Sequence, residues 1–157
     1  MRAAIAIALL LSACGERTGE PRGADPQSLD TFAPVGSQNS YCTFFDADST
    51  PNHSNPAEYE LVFITLFDDP QRRARISFGG EMMMLFPVGE GAAFAPEGTE
   101  SVYSVEGYPD YDVRVTHMET GQGFEHTEYE GVVQFRRYED RQPAVVAERA
   151  YKGSCGV

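Results

Sequence analysis

The sequence predicts an all-β chain, folded as a single antiparallel β-sandwich or small β-barrel of about six to eight strands. Three observations predict it. Short runs rich in Val, Ile, Phe and Tyr alternate apolar with polar residues at period two. Clusters of Gly, Pro, Asn and Asp punctuate these runs, drawn from 15 Gly and 10 Pro in 157 residues. No segment of the part expected to fold carries a convincing helical pattern between start and stop signals.

The chain opens on Arg2, an apolar run from Ala3 to Leu10, and the tetrapeptide Leu11-Ser12-Ala13-Cys14. A membrane-spanning helix needs roughly 20 apolar residues, about twice what stands here. The stretch resembles the signal peptide and lipobox of bacterial lipoproteins. That resemblance implies removal of residues 1–13 as a signal peptide, acylation of Cys14 by palmitate-type chains, and membrane attachment through it. Gly15, rather than Asp, follows the cysteine. Under the sorting rule of enterobacterial lipoproteins this implies the outer membrane, with the protein facing the periplasm.

Residues 14–38 form the expected lipidated cysteine and flexible tether. Gly, Pro, Ser and charged residues dominate there, and few large apolar side chains are present to offset ordering entropy. Phe32 and Val35 are the residues with the means to dock on the domain. Residues 39–157 are the expected β-rich domain. Tyr41 to Phe45 is its first strand, and Asp46 to Ala57 a loop. Asp46-Ala47-Asp48 starts like a calcium-binding loop, but Pro51 stands where the sharp-turn Gly belongs and Ala57 where the bidentate Glu belongs. Glu58 to Phe67 is apolar on both faces, which fits a strand buried on both sides better than a ten-residue helix. Arg73 to Phe86 reads as a hairpin about Gly79-Gly80, with Ile76 opposite Met83 and Ala74 opposite Leu85. Met82, Met83 and Met84 alternate between faces and therefore do not converge on a soft metal. Ser101 to Val105 and Asp112 to Met118 are further strands about the aromatic turn from Gly107 to Tyr111. Thr127 to Tyr138 follows a Gly-Gln-Gly turn, and Ala144 to Lys152 closes the sheet, favoured as strand over a helix beginning at Pro143. The ending from Tyr151 to Gly156 is similar to the Gly-x-Cys-Gly close of small uncharacterised β-rich proteobacterial lipoproteins, a likeness with no activity to transfer.

Charge and cysteines limit the function. With residues 1–13 removed, 11 Lys and Arg face 24 Asp and Glu, a net −13. Such a surface repels nucleic acid and anionic lipid, and a specific protein partner is expected to be basic. With Cys14 acylated, Cys42 and Cys155 remain, and in an exported chain they are expected to pair as a structural disulfide tying the first strand to the last. No G-x-S-x-G elbow, free thiol or phosphate-cradling glycine loop remains, so no catalytic residue and no cofactor is expected.

His117 and His126 flank one turn, with Glu119, Glu125 and Glu128 nearby. A two-residue turn at Gly121-Gln122 would oppose them at metal-ligand spacing. Val113 and Val115 share a face with His117, however, whereas Tyr129, Val133 and Phe135 lie opposite to the face of His126. Joining the two apolar faces requires an odd-numbered connection such as Gly121-Gln122-Gly123, which sends the histidines to opposite sides. No metal is expected. The expected function is a non-catalytic envelope lipoprotein whose tethered β-domain serves protein interaction or scaffolding. The alternatives are an inhibitor of a cationic enzyme such as lysozyme, or a small-ligand or lipid-binding barrel. Membrane-anchored lysozyme inhibitors carry S-G-x-x-Y and T-K-G motifs, of which only Tyr151-Lys152-Gly153 approaches the second.

Overall fold

A computed structural model describes residues 27–34, 40–50, 55, 58–66, 69–89 and 100–156. Cys14, Val35 and the expected signal peptide lie outside these residues. The described chain is all-β. Nine strands follow in order: β1 (Gln27–Ser28), β2 (Ser40–Asp46), β3 (Leu61–Leu66), β4 (Ala74–Phe78), β5 (Glu81–Pro87), β6 (Glu100–Val105), β7 (Tyr108–Gln122), β8 (His126–Glu139) and β9 (Gln142–Gly156). From β2 to β8 each strand pairs antiparallel with its neighbour in sequence, and β9 closes the sheet by pairing antiparallel with both β8 and β2. Of the two architectures the sequence allows, the chain adopts the closed one, an eight-stranded barrel with β1 added parallel to β9.

Strand periodicity builds the interior. Val113, Val115, Val133 and Phe135 lie opposite one another on β7 and β8 and are buried, while Arg114, Thr116 and Gln134 point outward. Phe44 stacks on Phe63 at 5.7 Å and meets Tyr151 at 4.5 Å. Phe63 meets Tyr103 edge-on, and Phe135 stacks on Tyr111. Burying each such ring contributes about 1.5–3 kcal/mol. Leu61 to Thr65 are all buried, as the two-faced apolar run of β3 predicts.

The β4–β5 hairpin has the expected register, with Ile76 opposite Met83 and Ala74 opposite Leu85. Gly79 and Gly80 supply φ of +62° and +78°, both central angles of a type I′ turn. The closing seam between β2 and β9 carries Cys42 directly opposite Cys155, joined as a disulfide. Its sequence separation of 113 places the loop-closure contribution at about 4–5 kcal/mol in the chain-entropy model.

Three expectations need correction. The tether read over 14–38 is not wholly flexible: residues 27–34 dock on the barrel. Gln27 and Ser28 pair with Ala147 and Glu148, Asp30 bridges to Ser77, and Phe32 pairs with Leu61. Leu29, between them, is fully buried in the core. Phe32 docks where the sequence allowed it; Leu29 was missed because one large apolar residue in a polar stretch suffices when a formed barrel end receives it. Second, the aromatic stretch Tyr108–Tyr111 is strand rather than turn, since Glu106-Gly107 alone reverses the chain. Third, the β7–β8 connection lies beyond Gly121-Gln122, over Gly123-Phe124-Glu125 between the two strands. Gln122 pairs with Thr127, leaving four residues between them, and a bulge lies between Glu119 and Gly121. One extra strand residue plus an even loop restores the parity that matches the two apolar faces.

Candidate functional site

β7, β8 and β9 are the longest strands, of 15, 14 and 15 residues. β7 last pairs with β6 at Thr116, so residues 117–122 run on beside β8 toward the tip. The outer face of this three-stranded lip is built in cross-strand rows. Arg114, Gln134 and Glu148 form one row; Thr116, Val132 and Ala150 the next; Met118, Glu130 and Lys152 the third. Short side chains in the middle row, between longer ones on both sides, leave a furrow.

That furrow is a cavity of about 410 Å³ lined by Ala47, Thr116, Met118, Gly131, Val132 and Ala150 among others. It continues on one side into about 390 Å³ around Asp46, Asp48 and Glu148, sharing Ala47, Val132 and Ala150. On the other it meets about 510 Å³ around His126, Glu128, Glu130, Lys152 and Ser154. The floor is small and apolar and the ends carry carboxylates.

Gly131 allows a close approach of neighbouring strands here. A Cβ at this position would lie 1.9 Å from the Thr116 carbonyl oxygen and 2.9 Å from the Tyr151 hydroxyl. Tyr151 reaches across from β9 and donates its hydroxyl to that same carbonyl at 3.0 Å. Burial pushes its phenol pKa well above the ordinary value, so it stays a donor.

The charged groups near the furrow are tied down on one side and less so on the other. Asp46 accepts from Arg149, which also donates to the Leu29 carbonyl, so one guanidinium fastens the docked segment to the β2 end. Burial disfavours the Asp46 charge, but the Asp48 amide and Arg149 outweigh it and hold the carboxyl below its usual range. Lys152 donates to the Ala47 carbonyl at 2.7 Å. At the opposite end of the barrel's outer face Asp112 receives Arg136 in a fork of two 2.7 Å bonds, plus the Tyr138 hydroxyl at 2.7 Å. The fork and partial burial make this a support for the β8–β9 arm.

The residues singled out in the sequence fall as follows. Cys42 and Cys155 are bonded at the seam. Cys14 lies outside the described residues. His117 is buried against the Tyr129 ring at 5.8 Å, whereas His126 is exposed on the outer face, 3.7 Å from Glu128. Among the described residues, no three His, Cys, Asp or Glu side chains are gathered to hold a metal. Met82 points out and Met83 in, as alternation requires. Tyr151 of the Tyr-Lys-Gly triplet is buried, meeting the furrow only from its floor, and Lys152 and Gly153 line the adjoining cavity. Sequence reasoning missed Phe124, which sits in the β7–β8 loop at 97% exposure. Its signal was a phenylalanine alone between Gly123 and Glu125, outside any alternating run. Comparison with family models, curated proteins and solved structures finds no match.

Proposed function

We propose that the chain is a non-catalytic lipoprotein of the bacterial cell envelope, held on the outer membrane through acylated Cys14 and working as a protein-interaction or scaffolding module. One observation carries the reading. Large side chains from Leu29 to Tyr151 fill the barrel interior, whereas the furrow and the exposed apolar residues lie outside. A filled barrel weighs against a small-ligand or lipid carrier and favours work done by the outer surface. The acidic balance favours a basic protein partner and disfavours nucleic acid.

The inhibitor reading, aimed at a cationic enzyme such as lysozyme, is the narrower version. The carboxylates at both ends of the furrow favour it. The inward Tyr151 and the missing S-G-x-x-Y motif weigh against it.

Two measurements test the proposal. Growth with labelled palmitate is expected to mark the wild-type protein and not Cys14→Ser, which should also leave the membrane fraction. Purified protein is expected to bind a basic partner and no acidic one of similar size. Unlabelled wild type would overturn the anchor, and preference for acidic partners would overturn the interaction reading. Loss of lysozyme activity on binding would select the inhibitor version.

A further inference from the structure

Among the described residues, one large apolar side chain is almost wholly in solvent. Phe124 stands at 97% exposure at the turn between β7 and β8, and Met118, on the outer face of β7 behind it, is 52% exposed. Leaving a phenylalanine fully in water forfeits about 1.5–3 kcal/mol that burial would return. It is also not adventitiously placed. The turn lies at the end of the longest strands, where β7 has outrun its pairing with β6. Gly123 lies under the His126 ring, and its amide donates to the His126 carbonyl at 2.8 Å, so the tip is closed by its own hydrogen bond.

The surroundings select the occupant. From Met118 to Glu130 the sequence holds Glu119, Glu125, Glu128 and Glu130, and no Lys or Arg. Among the described residues, no ion pair joins any of them to a Lys or Arg. Lys152 stands opposite Glu130, so four carboxylates against one ammonium leave the strands behind this apolar tip negative, repelled from an anionic bilayer and attracted to a basic protein surface. Position agrees. The chain enters the described fold at Gln27, beside Ala147 on β9, and the tip lies beside Gly156 on the same strand. Nine residues of strand separate the two points, about 30 Å. The tip therefore lies at the end of the barrel away from the point where the described chain begins.

We infer that the β7–β8 tip is the docking element of the protein: Phe124, backed by Met118, enters an apolar cleft of a cationic protein, and the four glutamates meet the basic rim of that cleft. The inference rests on the interaction reading above and adds its site and the chemistry of its partner. Exposed aromatic anchors ringed by polar contacts are the groups that dominate protein interfaces on truncation. The carboxylates act chiefly on the rate of encounter.

The test uses the full-length acylated protein on phosphatidylcholine vesicles and, as probes, three compact cationic proteins: lysozyme, ribonuclease A and cytochrome c. At least one is expected to bind about tenfold more tightly than the weakest of the three, and Phe124→Ala should lower that affinity about tenfold or more. The joint change Glu128→Gln with Glu130→Gln should slow association and leave dissociation within about twofold. Met82→Ala, exposed on β5 at the other end of the barrel, should leave both rates unchanged. A specific binder indifferent to Phe124→Ala would overturn the site and leave the interaction reading standing. No binding to any probe, or equal binding to all, would overturn both. If the non-acylated domain with Cys14→Ser binds phosphatidylcholine vesicles, and Phe124→Ala abolishes it, Phe124 is a lipid anchor and the inference is wrong.

Discussion

Gly131 shows how a single missing side chain shapes a surface. Its absent Cβ lets the Thr116 carbonyl and the Tyr151 hydroxyl approach β8 beneath the furrow that Gly131 lines. Gly131→Ala is expected to cost about 3 kcal/mol, because its closest neighbour is backbone and has no rotamer to change. Urea unfolding measures it, and an unchanged midpoint would mean that the strands part at no cost and the close contact does not hold. Asp46 gives a pH signature. Its carboxyl lies below the unfolded value of 3.8, so its contribution is complete above that value and is lost as pH falls through the depressed folded pKa. At neutral pH Asp46→Asn should be less stable than wild type by about 1–2 kcal/mol. The difference should shrink below about pH 4 as the wild-type carboxyl protonates. A difference constant down to pH 2 would exclude the Arg149 pair as its source. Neither residue's role was legible beforehand, since the partner of Gly131 is 15 residues away in sequence and that of Asp46 is 103.

Legibility improves for whole elements, where pattern reports directly on burial. The Gly79-Gly80 hairpin is readable to the residue because both its angles demand glycine and its strands alternate cleanly. The β8–β9 turn is not, because Asp140 and Arg141 adopt φ of 49° and 68° without glycine. Here the long ladder on both sides imposes a strained turn that local chemistry does not announce. The opposite facing of His117 and His126 follows from the apolar faces alone, although the bulge that achieves it does not. The docked segment 27–34 is the element composition misjudged, and it makes a direct prediction. Leu29→Ala should lower stability by about 2–3 kcal/mol, as removal of a buried leucine does at a site able to relax partly. An unchanged unfolding midpoint would mean that the segment contributes nothing to the barrel and is tether throughout.

At the scale of the molecule, the described strands form a closed barrel with a side-chain core, sealed at its β2–β9 seam by Cys42 and Cys155. All-β character and the disulfide were legible from turn spacing and cysteine arithmetic; closure rather than a sandwich was not, because it depends on β9 finding both β8 and β2. The candidate site was the least legible part. Its furrow is a row of short side chains across three strands, and its anchor Phe124 belongs to no pattern. With interior space occupied, the molecule is proposed to act through its acidic outer face on a basic protein. The rate at which the two associate, measured by stopped flow across a salt series, tests that claim most directly. Between about 0.01 M and 0.15 M salt, where the Debye length shortens from about 30 Å to 8 Å, the association rate should fall about tenfold or more while dissociation stays nearly constant. A tight partner whose association rate is the same at both ends of the series would contradict it.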